Sequence, residues 1–279
     1  MNKVFTLAEG TRLTGHFATN FGKTQRLMHS AGFTLAEVLI TLGVIGVVAA
    51  LTIPTLIANI RSKQFSTGFK KTVSTLNQAV RMNNAQYGWD FAEVHSTLQC
   101  NANDNPENDF NYCAIVNGNL KGTTFNPYYI IVSEKASNLQ SDDKADNYYQ
   151  IKPYNNNIYD SPIIDATLIY SLNDGITLMF PGGTSKGDCQ LSTGSSLRDA
   201  IVDVDLFPNY DYCVGYIDVN GPSLPNTEIK CTTGTTSKDL EEPCIIKNKD
   251  ITDVFPVLFY DSTVTPATNA AKYVLNTAK

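Results

Sequence analysis

The sequence predicts an α+β fold, one long N-terminal helix laid on an antiparallel β-sheet. Three observations predict it. From Val38 to Ile53 the chain carries no charge, and its only polar side chains are Thr41 and Thr52. Behind that run, Phe65, Phe69, Val73, Leu76 and Val80 recur at spacings of four, four, three and four, the stripe of an amphipathic helix. From Asn101 onward the texture changes to short β-prone segments separated by turn residues.

The apolar run comes first. A helix needs about 20 predominantly apolar residues to cross a hydrocarbon core of roughly 30 Å, and in lipid it satisfies its own backbone hydrogen bonds. Residues 33–60 therefore read as membrane-spanning. Glu37 is the anomaly, because a carboxylate at membrane depth costs about 2.5 kcal/mol or more and marks a functional residue by default. Gly43 and Gly46 permit close helix approach. Pro54 removes one intrahelical hydrogen bond and predicts a kink or local melting.

The hexamer Gly32-Phe33-Thr34-Leu35-Ala36-Glu37, directly opening the apolar run, resembles the N-terminal signature of type IV prepilins and type II secretion pseudopilins. The resemblance covers residues 32–60 and says little about the rest. It implies that residues 1–32 are a leader, that a prepilin peptidase cuts after Gly32, and that the new N-terminal Phe33 is methylated. It gives Glu37 a role in assembly, pairing with the positive N-terminal amine of a neighbouring subunit. Breaking such a buried pair typically costs about 3–5 kcal/mol. The partners implied are other copies of the chain and minor pilins in a helical filament, the prepilin peptidase and an inner-membrane assembly platform. The location implied is the bacterial inner membrane, single-pass, with the head in the periplasm, and then a periplasmic pseudopilus or a surface pilus.

The leader holds an echo of the hexamer at Phe5–Gly10, which follows Val4 rather than glycine and has no apolar run behind it. It is not read as a processing site. Translation from Met28 would leave a five-residue leader. An ordinary signal peptide is the rival reading, with Val38–Ala50 as its hydrophobic region; Glu37 and the apolar continuation from Leu51 to Ile60 fit an anchor better.

Charge counting does not orient the span. Lys3, Arg12, Lys23 and Arg26 precede it, and Arg61, Lys63, Lys70 and Lys71 follow it, so the positive-inside rule is balanced. Of 21 basic and 27 acidic residues, the leader takes four basic ones and Glu9, leaving 17 against 26 and a mature net charge of −9. An acidic chain is a poor non-specific nucleic-acid binder unless its charges segregate, and no nucleic-acid partner is expected.

Residues 61–88 continue the helix, with Arg61, Lys70, Lys71 and Arg81 on its other faces and Gly88 as its stop. This gives one helix of roughly 50 residues, about 75 Å long at 1.5 Å per residue. Trp89 and Phe91 begin a β-rich head domain over 89–279. Tyr128–Val132 reads as a strand. Ala166–Leu172 and Ile176–Phe180 flank Asn173-Asp174-Gly175, a strong hairpin signal, which Pro181-Gly182-Gly183 ends. Cys213–Val219 and Phe255–Tyr260 are two further strands, and the polar stretch Asn138–Asn157 reads as an exposed loop.

All six cysteines, Cys100, Cys113, Cys189, Cys213, Cys231 and Cys244, follow the anchor. An even number confined to the exported part argues for disulfides in an oxidising compartment, with pairing of neighbours the plainest of the possible patterns. No Cys-x-x-Cys is present and His95 is the single histidine after the leader, which argues against a Cys/His zinc site.

Asp218-Val219-Asn220-Gly221 is by itself a turn. With Pro225-Asn226 and Asp253-Val254-Phe255 it resembles a C-terminal region of major pseudopilins in which a loop can bind calcium, interrupted here by the insertion that carries Cys231 and Cys244. Asp218, Asn220 and Asp253 are the oxygen ligands the resemblance implies, fewer than the six to eight that Ca²⁺ takes. Beyond this structural Ca²⁺, no cofactor is expected. A membrane-anchored hydrolase would have to use His95, and no Gly-x-Ser-x-Gly elbow is present. Asp142/Asp143 and Asp203/Asp205 read as solvated acids rather than a glycosidase pair. The chain is read as a structural subunit and not an enzyme, with a membrane-anchored or secreted adhesin or binding domain as the alternative.

Overall fold

The structure, a computed structural model, describes residues 33–94, 101–132, 148–150, 167–181, 213–236 and 243–277. The chain divides into two compact units, residues 1–49 and 50–279. Helix α1 (Leu35–Tyr87) contributes to both. In the first unit it is exposed along its length, with Leu39, Ile40, Leu42 and Val47 all more than 60% accessible.

In the second unit α1 changes character. Phe69, Val73, Leu76 and Val80 are buried and Phe65 is partly buried against the same core, so the predicted stripe is the docking face. Gly88 ends the helix with φ 79°, the left-handed conformation that glycine adopts at little cost, and its N–H donates to the Asn84 carbonyl at 2.9 Å. The helix passes through Pro54 unbroken, so the local melting expected there does not occur. The loss of one amide donor is absorbed within a helix held by the turns on either side.

The sheet carries seven described strands: β1 (Thr124–Val132), β2 (Tyr148–Gln150), β3 (Thr167–Ser171), β4 (Thr177–Pro181), β5 (Cys213–Asp218), β6 (Val254–Tyr260) and β7 (Thr263–Pro266). Their order is β2-β1-β3-β4-β5-β6-β7. All pairs are antiparallel except β1 with β2, which is parallel. β2 corrects the exposed-loop reading of Asn138–Asn157; the remainder of that stretch lies outside the described residues. The β3–β4 hairpin turns through Asn173-Asp174-Gly175 as expected, with Gly175 at φ 83° and the Gly175 N–H donating to the Leu172 carbonyl at 3.0 Å.

Two described helices were not anticipated, α2 (Tyr112–Asn119) and α3 (Asn269–Thr277). Phe69 of α1 stacks on Phe255 of β6 with ring centroids 4.1 Å apart. Tyr112 of α2 meets Phe91, Phe180 and Phe259 at 5.3, 5.3 and 5.7 Å, so α1, α2 and the sheet share one aromatic core. Cys231 and Cys244 form a disulfide closing a separation of 13 residues. Cys113 and Cys213 are each engaged in a disulfide as well, not with one another, while Cys100 and Cys189 lie outside the described residues. The arrangement is the α+β, pilin-like one that the sequence predicts.

Candidate functional site

Two places carry the residues singled out from the sequence. The first is the start of α1. Gly32 lies outside the described residues, and Phe33 is 86% exposed. Thr34 and Glu37 form a reciprocal cap. The Thr34 N–H and hydroxyl both donate to Glu37 Oε2 at 2.9 Å, and the Glu37 N–H donates to Thr34 Oγ1 at 3.2 Å. This is a capping box, in which an N-terminal Thr and a Glu three residues on satisfy donors that the first helical turn leaves without partners. Thr-x-x-Glu before an apolar run is the signal that announces it, and the reading of Glu37 as an assembly residue passed over it. Both donors to the carboxylate land on Oε2, which leaves Oε1 for a donor from elsewhere.

Within the apolar segment the hydroxyls are settled locally. Thr41 Oγ1 donates to the Val38 carbonyl at 3.0 Å and Thr55 Oγ1 to the Thr52 carbonyl at 2.9 Å, so neither presents a bare polar group to its surroundings. A Cβ added at Gly43 or Gly46 would meet nothing within 4 Å. The chain's own packing therefore does not require glycine at either position.

The second place is the loop from Asp218 to Asn226. The Asn220 N–H donates to Asp218 Oδ1 at 3.1 Å, while the Asn226 and Thr227 N–H groups donate to Asp253 Oδ2 and Oδ1, both at 2.8 Å. The Val219 N–H reaches the Asp253 carbonyl at 3.0 Å. Gly221 sits at φ 62°, and a Cβ there would come within 2.6 Å of the Gly175 carbonyl. The loop is thus pressed on the β3–β4 turn, and only glycine fits the contact. The Leu224–Pro225 peptide is cis and Asn226 takes φ 46°.

Asp218 and Asp253 are completely buried. Burial pushes the Asp253 carboxyl above the usual carboxylate range, against the pull of the Thr227 and Asn226 N–H donors. Asp218, Asn220 and Asp253 therefore do come together, as a clasp that closes the loop on backbone amides. Among the described residues no three His, Cys, Asp or Glu side chains are grouped to hold a metal ion. Asn220 Oδ1 is nevertheless buried and takes no hydrogen bond. His95 and the acid pairs Asp142/Asp143 and Asp203/Asp205 lie outside the described residues.

The helix Leu35–Tyr87 is long and apolar enough to cross a membrane, by length and composition, through its N-terminal part. A search of curated proteins and of solved structures finds no match to this chain. Residues 27–53 match the prokaryotic N-terminal methylation motif. That match spans the Gly32–Glu37 hexamer, the capping box and the exposed apolar turns that follow, so the chain carries at its N-terminus the prepilin-type signature of type IV pilins and pseudopilins.

Proposed function

We propose that this chain is the structural subunit of a type IV pilus-like or type II secretion pseudopilus filament. It is inserted in the inner membrane as a precursor, cut after Gly32 by the prepilin peptidase, methylated at Phe33 and assembled through its apolar helix. One observation carries the reading: the methylation motif over residues 27–53 opens directly into a helix whose large apolar side chains are exposed. Leu39, Ile45 and Val47 are between 61 and 63% accessible, and only lipid or the helices of other subunits cover such a surface stably. Gly43 and Gly46, which the isolated chain does not need, suit close approach between those helices. In the filament the contact is heterologous and repeats without closing. Minor pilins and an inner-membrane platform complete the assembly.

Intact mass and N-terminal sequencing of the membrane-extracted protein from its native host test this. A mature chain beginning at methylated Phe33 with its anchor retained is expected. A soluble product beginning near Leu51 would mean ordinary signal-peptide processing and would end the filament reading.

The buried Asn220 Oδ1 without a hydrogen bond favours one addition, a structural Ca²⁺ held by Asp218, Asn220 and Asp253, which lends the loop rigidity. Calcium is expected to raise the melting temperature of the wild-type protein. Asp253→Asn is expected to remove that rise and to cost about 1–3 kcal/mol in its own right, because one buried N–H then faces an amide donor. Identical wild-type melts with calcium and with chelator would leave the loop as a hydrogen-bonded turn alone.

A further inference from the structure

We propose that Arg61, Lys63, Lys247 and Lys249 form a basic collar that binds the headgroups of anionic phospholipids where the apolar helix leaves the membrane. The proposal rests on the reading of that helix as a membrane span.

The collar is assembled from two parts of the chain far apart in sequence. Arg61 and Lys63 are exposed and flank Ser62, which is buried. Lys247 and Lys249 are exposed on the short 3-10 turn Asn248–Asp250 and the residue before it. They line one groove together with Pro54, Thr55, Ala58 and Asn59 of α1. Asn248, between the two lysines, lines the adjoining groove with Ser62, Lys63 and Ser66. The turn therefore lies along α1 from its last apolar turns to its first basic ones.

That level is where a membrane surface falls. About 20 residues cross the hydrocarbon, so a span beginning at Phe33 is used up near Ile53. In the same stretch Leu51, Ile53, Leu56 and Ile60 are 73, 51, 59 and 48% exposed, a greasy band left open by the described residues of the head. An exposed apolar band rimmed by lysines and arginine is the pattern of an interfacial anchor, in which long basic side chains lay their stems on apolar surface and their charges among headgroups.

The charges are available. Among the described residues the ion pair present is Lys71 with Asp174 at 2.7 Å, and none of the four collar cations makes one. Asp250, the acid of the same turn, accepts the Thr232 hydroxyl at 2.8 Å. A chain that is acidic overall has thus gathered unpaired positive charge at the level of its membrane exit. Phosphodiesters of a bilayer surface are the anions met there, and attraction to them adds roughly a fivefold gain in binding per basic residue within a Debye length of about 10 Å at 0.1 M salt.

The test uses the full chain in phosphatidylcholine bilayers containing a trace of spin-labelled phosphatidylglycerol or of spin-labelled phosphatidylcholine. The readout is the motionally restricted fraction of each label. Phosphatidylglycerol is expected to be preferred, and the preference to collapse at high salt. It is expected to fall roughly fivefold for each lysine removed in K247Q and K249Q. K247R/K249R keeps the preference. So does K121Q, whose lysine lines a different cavity with Thr72, Thr75 and Leu172. Equal restriction of the two lipids, or a preference undiminished in K247Q/K249Q, overturns the collar while leaving the anchor intact. Failure of the chain to float with either bilayer overturns the anchor reading and the collar with it.

Discussion

Replacing Phe69 with alanine is expected to cost about 3–5 kcal/mol of head stability. Its side chain is fully buried, and its ring stacks on Phe255 at 4.1 Å with 11° between the planes. Phe255 is itself fully buried on β6, with Phe259 beside it in the same core. The site has little freedom to collapse around a missing ring, so the transfer loss and the cavity add, and the stacking contribution of about 0.5–1.5 kcal/mol goes too. Against a total stability of about 5–15 kcal/mol for a typical domain, this one change removes about a fifth or more. Phe65→Ala, at a partly buried position on the same stripe, is expected to cost less than half as much. Denaturant unfolding of the detergent-held chain checks both, read out by the chain's one tryptophan, Trp89, which is 3% exposed. A loss below about 1 kcal/mol for Phe69→Ala would mean that the helix contributes little to holding the head.

The second large effect is at Glu37, where two roles overlap. The carboxylate caps α1 through Thr34, and in the proposed filament it also meets a neighbour's N-terminal amine. Glutamine separates them. It can occupy the third helical position of a capping box as glutamate does, yet it carries no charge to pair. Glu37→Gln is therefore expected to leave membrane insertion and the start of the helix unchanged while weakening assembly by the cost of leaving a buried charge unpaired, about 3–5 kcal/mol. Sheared-filament yield against total membrane-bound subunit measures it. Glu37→Ala is expected to lose both roles and to fray the first turn by a further 0.5–2 kcal/mol or so. Normal filaments from the Gln variant and none from the Ala variant would make Glu37 a cap and not a charge partner.

Long, repetitive signals were readable in advance. The stripe from Phe65 to Val80 predicts the docking face because one amphipathic pattern extends over several turns, and Gly88 marks the end because only glycine takes φ 79° cheaply there. Asn173-Asp174-Gly175 announced its hairpin. Short elements escaped. α2 is eight residues long, too short for a period to repeat, although Asn111 at its start accepts the Ala114 N–H at 2.8 Å and is a cap that could have been noticed. α3 is announced in the same way by Thr268, whose hydroxyl accepts the Ala271 N–H at 3.2 Å. β7 follows a turn at Asp261-Ser262 with Asp261 at φ 43°, and Asp-Ser is not a pair that turn chemistry flags. β2 lies in a polar stretch because parallel pairing at a sheet edge uses backbone groups and asks little of side chains. At the candidate site, Glu37 was found through its misplaced charge, whereas its bond to Thr34 needed attention to the spacing of three between them.

For the filament proposed above, the cap at the start of α1 would have a thermodynamic consequence. A bare carboxylate among lipid chains would drive the subunit toward any cation it met, productive or not. Here Glu37 is already engaged by its own Thr34, so the monomer waits in a low-energy state. In the proposed filament a neighbour's amine would meet Oε1 of a carboxylate already held through Oε2, so the pair would add less than at a bare carboxylate, and a smaller gain per subunit would leave a misregistered subunit time to depart before the next one locks it in.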